Sequence, residues 1–307
     1  MIKRTLVFSQ AAYLKMNRDQ LIVSYPDQES KEISVPIEDI GLILLEDSRI
    51  TITHRLIGRL LENKAAIITC DEKHLPTGLI LPIVGHTLQS QRFQEQITMS
   101  APLKKQLWQQ TVQAKIINQA NHLKEWEMES RKLDYWARQV KSGDPTNVEA
   151  QAARHYWNSL FFDIIDCFER NRDGDPPNNL LNYGYAILRA ITARALICSG
   201  LFPTIGIFHK NQYNAYCLAD DIMEPYRIYV DSIVRQIVEL EEPMEELSRE
   251  LKLRLLNILV RDVSINDQKS PLIVAMTTTT SSLYECIAGQ RRRIKYPIYE
   301  PVPIFQA

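Results

Sequence analysis

The stretch GIFHKNQYNAYCLADDIMEPYR, residues 206–227, gathers groups that bind hard cations. His209, one of six histidines, precedes two adjacent aspartates, Asp220 and Asp221, and then Glu224. On a helix Asp221 and Glu224 (i, i+3) or Asp220 and Glu224 (i, i+4) share a face, where like charges repel by roughly 0.2–0.5 kcal/mol. A bound metal ion would offset that repulsion. The plainer explanation is that carboxylates are favoured in the first turns by the helix dipole. His209 follows apolar Ile207 and Phe208, at the edge of a core, where a lone histidine is more often a hydrogen-bonded structural residue than a ligand. Glu149, in NVEAQAARHYWNSLF, shares a helical face with Ala152, Ala153 and Tyr156 at i, i+3, i+4 and i+7. A glutamate facing small residues and an aromatic reads as a site; the alternative is an ordinary helix-start acid. Carboxylate oxygens suit Mg²⁺ or Mn²⁺, and an imidazole among them shifts the preference toward Mn²⁺. No H-E-x-x-H motif or paired cysteine ligands are present, which argues against a zinc protease. Such an ion would polarise a phosphodiester and stabilise the charge of its transition state.

The elements that must position these groups change character along the chain. Up to about residue 85 short apolar runs recur: TLVF, LIVSY, EISVPI, IGLILLE and AAIITC. Turn formers such as Asn17-Arg18-Asp19 and Pro26-Asp27 separate them, and the region reads as β-rich. One helix interrupts: ITHRLIGRLLENK places Leu56, Leu60 and Leu61 on one face, with Thr53 as N-cap. Pro76, Pro82 and Gly85 then mark a boundary. From Leu88 onward the period is helical. Leu107, Trp108, Val112 and Ile116 make one apolar stripe. SGDPTNVEAQAARHYWNSLFFDIIDCF opens with turn chemistry and becomes helix, capped by Thr146 or Asn147. PPNNLLNYGYAILRAITARALICSG starts on prolines and stops on Gly200. Further helices are expected over about 218–240, which Pro225 would kink or interrupt, and over about 245–260. The expected architecture is α+β: a small β-rich domain over residues 1–86, then a larger all-helical domain over 87–307.

Composition narrows the function. At roughly 150 residues per domain, 307 residues suggest about two domains. The 45% hydrophobic content supports a full core. Five scattered cysteines, Cys70, Cys167, Cys198, Cys217 and Cys286, argue against a disulfide framework and for a reducing cytoplasm. No signal peptide or run of 18 apolar residues is seen, so no membrane partner is expected. A net charge of −1 means that any nucleic-acid partner must be met by a local basic patch. The ten glycines form no nucleotide-binding loop.

Several stretches resemble, in order, those of the CRISPR-associated adaptation integrases, the Cas1 family, in its type II branch. They are KHLPTGLILPIVGHTLQSQRFQEQ, LWQQTVQAKIINQANHL, NVEAQAARHYWNSLF, NNLLNYGYAILRAITARAL and SGLFPTIGIFHKNQYNAYCLADDIMEPYR, and they span nearly the whole chain. The resemblance implies a β-rich N-terminal domain that dimerises and a helical catalytic domain. It implies that Glu149 (of N-x-E-A-x-A-A), His209 (of G-x-x-H) and Glu224 (closing D-x-x-E) are metal ligands for Mg²⁺ or Mn²⁺. Asp221, opening D-x-x-E, is the implied accessory catalytic acid, although spacing alone admits Asp220 equally. Ile228 departs from the family's pattern, which has proline after the arginine.

The implied activity is strand transfer: a 3′-hydroxyl of a foreign DNA fragment attacks a phosphodiester of the CRISPR repeat next to the leader. Endonuclease activity accompanies it, with water as the attacking group. Implied partners are a second copy in a homodimer, the small Cas2 protein, and double-stranded DNA as both protospacer and leader-repeat. Type II systems add an effector nuclease and a ring-forming DNA-end-binding protein as candidate participants. Candidate DNA contacts are Lys104, Lys105, Arg189, Arg194, Arg291, Arg292, Arg293 and Lys295, against the alternative that each is an ordinary solvated charge. The rival functions are a plain metal-dependent nuclease without integration and a DNA-binding scaffold without catalysis.

Overall fold

A computed structural model describes residues 3–26 and 32–301; Asp27, expected in a turn, lies outside them. The N-terminal part runs β1 (Arg4–Phe8), β2 (Tyr13–Asn17), β3 (Gln20–Ser24), β4 (Ile33–Pro36), β5 (Ile40–Leu45), β6 (Thr51–Ile52), α1 (His54–Glu62), β7 (Ala66–Cys70) and β8 (Pro76–Ile80). These strands make two four-stranded sheets, ordered β1-β5-β7-β8 and β4-β3-β2-β6. In the first, β1, β5 and β7 run parallel, with Thr5 opposite Leu42 and Ile43 opposite Ile67, and β8 returns antiparallel. In the second, β2 and β3 form a hairpin through Arg18 and Asp19, both at positive φ, as a two-residue hairpin loop requires.

Strand alternation explains how this part joins the rest. Ile43 and Ile67 point into a core shared with Leu14, Leu21, Leu56 and Leu60. Their neighbours Leu42, Leu44, Ala66 and Ile68 point the other way, into the large core of the helical part. Burial on both faces is why β5 reads as the continuous run IGLILL rather than alternating. Thr53 occupies the N-cap position of α1, but its side chain makes no capping bond; Leu56 and Leu60 are buried and Leu61 is only partly so.

The helical part comprises α2 (Gln89–Ile97), α3 (Ala101–Glu125), α4 (Arg131–Gln139), α5 (Val148–Leu160), α6 (Asn178–Cys198), α7 (Cys217–Met223), α8 (Arg227–Glu239), α9 (Arg249–Leu256) and α10 (Leu272–Ile287). The part expected to be all-helical is not: a hairpin of β9 (Asp262–Ile265) and β10 (Gln268–Pro271), turned at Asn266 and Asp267 with positive φ, interrupts the helices before α10. The expected boundary after residue 86 falls between β8 and α2. Helix α6 is apolar almost all round and lies at the centre, as such a helix must. At Gly184 an added Cβ would come within 2.4 Å of Val230, so the glycine permits α6 and α8 to pack this closely. A 3-10 turn, Glu224–Tyr226, separates α7 from α8 at Pro225, so the two short helices replace one long one.

Candidate active site

Helix α3 is the spine of the site. Ser100 caps it through a bond from the Leu103 amide, and Pro102 lies in its first turn. Two turns apart on one face it presents Trp108 and Lys115, and one turn further Asn118. The Asn118 amide donates to the carbonyl of Pro225 (2.8 Å), in the 3-10 turn that carries Glu224, and to that of Pro297 (3.1 Å). Lys115 Nζ lies 2.7 Å from Glu149 Oε1 and 2.7 Å from Glu224 Oε2. Two acids 75 positions apart in the chain thus converge on one cation, although Glu224 Oε2 accepts no well-formed hydrogen bond. The other oxygen of Glu224 is held by Arg227 at 2.8 Å.

Glu149 is positioned by Asp144. The carboxylate of Asp144 accepts from the Val148 and Glu149 amides, both at 2.9 Å, at the start of α5. Asn147 holds the N-cap position with left-handed backbone (φ 53°) and makes no side-chain capping bond. The cap expected from Thr146 or Asn147 therefore comes from Asp144 instead.

His209 lies in the loop before α7, anchored by Asp221. That carboxylate is fully buried and accepts four bonds: from the amides of Ile207 (2.7 Å), Phe208 (3.0 Å) and His209 (3.2 Å), and from His209 Nδ1 (2.6 Å). Hydrogen bonding to Asp221 raises the imidazole's pKa; desolvation opposes, and the charges of Asp221, Glu224 and Glu149 add to the rise. With Nδ1–H directed at Asp221, Nε2 is the free ring nitrogen, the arrangement by which a carboxylate orients a metal-binding histidine. On the other side Phe208 stacks on buried Trp108, centroids 4.2 Å apart, and the same indole meets His209 edge-on at 5.7 Å. At Gly206 a Cβ would lie 2.4 Å from the His209 carbonyl oxygen and 2.8 Å from Asp221 Oδ2, so only glycine fits.

The acids that spacing placed on one helical face are each engaged separately. Asp220 accepts two bonds from Arg189 (2.6 and 3.1 Å) and one from Asn214. Asp221 serves His209, and Glu224 serves Lys115 and Arg227. Asp221 supports the histidine, and Asp220 is turned toward Arg189. Burial opposes ionisation of Glu224, yet Arg227 and Lys115 more than offset it and its pKa is lowered. Burial likewise disfavours the Lys115 ammonium, but Glu224 and Glu149 outweigh it, and that pKa is raised.

As they stand, no three His, Cys, Asp or Glu side chains among the described residues lie close enough together to hold one ion. The ammonium of Lys115 sits between the two glutamates. Magnesium–oxygen distances of about 2.1 Å are shorter than its 2.7 Å contacts, so an ion would draw the carboxylates closer together. The donor set suits a divalent cation: two convergent carboxylates, one oxygen lacking a good hydrogen bond, and an oriented imidazole beside them.

Residues 5–246 match the family described as CRISPR associated protein Cas1. The chain belongs to that family. It is 36% identical over 306 residues to the CRISPR-associated endonuclease Cas1 of Neisseria meningitidis serogroup C (strain 8013), covering 99% of this chain and 98% of the relative. Its fold is similar to that of a casposase bound to integration product (TM-score 0.78, 18% identity, 100% of this chain and 96% of the other). A Cas6-RT-Cas1–Cas2 complex shares the fold as well (TM-score 0.72, 20% identity, 99% of this chain and 36% of the other).

In this Cas1-family chain the candidate DNA contacts fall into distinct groups. Arg194 is buried and donates to the Lys64 carbonyl at 2.8 Å, tying α6 to the N-terminal part, so its expected surface role is corrected. Arg189 is committed to Asp220, and Arg291 to Glu285 at 2.5 Å. Lys104 and Lys105 lie early in α3, and Lys295 is half-buried with its backbone bonded to Ser282 and Thr279. Arg292 and Arg293 are exposed and line an open groove of about 870 Å³ between α3 and the C-terminal segment. That segment is strapped to α3 by Gln110, which bonds to the Arg292 carbonyl and the Ile294 amide. Sequence reasoning missed Lys115, Asn118 and Asp144. The available signal for Lys115 was a charge two turns from Trp108, on the side of α3 that also carries Val112 and Ile116.

No helix among the described residues is long and apolar enough to cross a membrane, and the five cysteines are free.

Proposed function

We propose that this chain is a CRISPR adaptation integrase that performs metal-dependent DNA strand transfer, with endonuclease activity when water replaces the attacking hydroxyl. The observation that carries the reading is the convergence of Glu149 and Glu224 on one cation, beside a histidine that Asp221 orients. Family membership, the endonuclease name of the meningococcal relative and the similar fold of a casposase bound to integration product support it.

Glu149, Glu224 and Nε2 of His209 would hold Mg²⁺ or Mn²⁺. A divalent ion there supplies charge neutralisation at the attacked phosphate. The chain's own residues do the rest. Asp221 fixes the imidazole tautomer, and Arg227 and Asn118 fix Glu224 and its turn. The 3′-hydroxyl of the incoming strand gives its proton to solvent and its oxygen forms a bond to phosphorus as the bond to the repeat's own 3′-oxygen breaks; that oxygen leaves with a proton from solvent. Bond number is conserved, so the protein's task is alignment and electrostatics.

The proposed assembly is a homodimer working with Cas2 on double-stranded DNA, and the Cas1–Cas2 complex of similar fold supports the second partner. Arg292 and Arg293, exposed beside the groove, are the candidate phosphate contacts. The test is a supercoiled plasmid carrying leader and repeat, offered labelled duplex fragments with Cas2 and Mn²⁺. Joined product is expected, lost in Glu149→Ala while DNA binding persists. Nicking without joining would point to a plain nuclease. Full turnover by Glu149→Ala, Glu224→Ala and His209→Ala would remove the site assignment.

A further inference from the structure

Lys115 has no part in the chemistry as described, yet it occupies the centre of the site. Its side chain is 13% exposed, and its ammonium is shared between two glutamates from different helices. Glu224 is itself 6% exposed. Two desolvated carboxylates facing each other need a cation between them, because a buried charge left unpaired is strongly destabilising. An ammonium and a divalent ion are therefore alternative occupants of the same place.

The two basic partners of Glu224 differ in kind. Arg227 offers a planar fork and stacks over the Tyr185 ring at 4.7 Å, which fixes it. Lys115 is a point charge on a flexible stem, able to move without disturbing a bidentate geometry. A cavity of about 60 Å³ adjoins it, lined by the polar groups of Gln119, Glu224 and Asp231, by Trp157, and by two further cations, Arg170 and Arg227. That is room for a displaced ammonium, since a water molecule takes about 30 Å³.

We propose that Lys115 is a displaceable counter-cation: it holds Glu149 and Glu224 together before metal binds, yields its place to the ion, and so sets the affinity of the site. This rests on the metal reading given above. Every binding event then carries the cost of breaking two charge-assisted contacts, which a neutral side chain of similar length removes. Lys115→Met is expected to bind Mn²⁺ about tenfold more tightly than the wild type by titration calorimetry. Without metal it is expected to unfold at a lower temperature, and Mn²⁺ should raise its unfolding temperature by more than in the wild type.

A second measurement needs no variant. Amine-selective acylation of the wild-type protein, mapped by mass spectrometry, should modify Lys115 faster with Mn²⁺ than without it, because the displaced amine is no longer held by both glutamates. Equal or weaker Mn²⁺ binding by Lys115→Met, or acylation indifferent to Mn²⁺, would overturn the inference alone. Absence of Mn²⁺ uptake by both proteins would overturn the metal reading and this inference with it.

Discussion

Replacing Asp221 by asparagine keeps the shape of the side chain and tests how His209 is held. Four donors now converge on this carboxylate. Asparagine offers one oxygen and one NH₂ group, so it has two ways to sit. With its NH₂ toward Ile207 and Phe208, it would leave two buried amides without acceptors, at about 1–3 kcal/mol each. With its NH₂ toward His209 only one amide is left unpaired, and its existing bond, at 3.2 Å, is the longest of the four. The second orientation therefore wins, with an expected stability loss of about 1–3 kcal/mol. It forces Nδ1 to accept, so the ring proton moves to Nε2, which then has no lone pair for a cation. Mn²⁺ affinity should fall roughly 10–100-fold, the usual loss when the group behind a ligating histidine is removed.

Urea unfolding measures the first quantity, titration calorimetry the second, and ¹⁵N chemical shifts of the imidazole the tautomer. The pH dependence adds a sign check. Asp221 raises the folded pKa of His209 above its unfolded value, so the stabilisation is full below about pH 6.5 and is lost as pH rises through the folded value. The variant should lose that slope. Unchanged Mn²⁺ affinity in a protein whose proton has moved to Nε2 would refute His209 as a ligand. A proton still on Nδ1 would refute the account of Asp221.

Other substitutions probe the supports. Gly206→Ala drives a Cβ against the His209 backbone, which cannot give way as a flexible side chain would; a loss of about 1–3 kcal/mol in thermal or urea unfolding is expected, with weakened Mn²⁺ binding. Asp144→Ala removes the cap of α5 and should cost about 1–2 kcal/mol, and Asp144→Asn should recover part of it. Asp231 is buried beneath the site, accepts from the Tyr156 and Tyr185 hydroxyls, and has its pKa pushed up to about 7 by burial. Its folded pKa lies above the unfolded value, so its stabilisation is full below about pH 4 and fades as pH rises through about 7. The span is on the order of 4 kcal/mol, and Asp231→Asn should flatten the stability profile across that window.

Much of the fold was legible because its signals are local. The apolar run IGLILL marked a strand, and the proline start and glycine stop bracketed α6 closely. What was missed lacks such signals. β6 is two residues long, and β8 starts with Pro76, which with Pro82 and Gly85 read as a boundary; proline is tolerated there because the strand starts with it at the edge of its sheet. β2 was hidden because YLKMN has only Leu14 fully buried.

The site was legible in its acids and its histidine, but not in what neutralises them. On one continuous helix through residue 224, three carboxylates would crowd a single face. Pro225 ends that helix in a 3-10 turn, and the crowding is relieved by partners that spacing cannot see: Arg189 from α6, the 207–209 loop, and Lys115 from α3. Those partners lie between 12 and 109 positions away, so no local window pairs them. The sharper clue was a mismatch of a different kind. A helix stripe that buries Trp108, Val112 and Ile116 has no reason to carry a lysine at 115 unless something anionic waits there. A buried cation is tolerated only with its counter-charges. Lys115 on the inner side of α3 therefore implies acids packed against that helix, and Glu149 and Glu224 supply them. Read in that direction, one charge on the buried side of α3 locates the site more directly than the acidic cluster does.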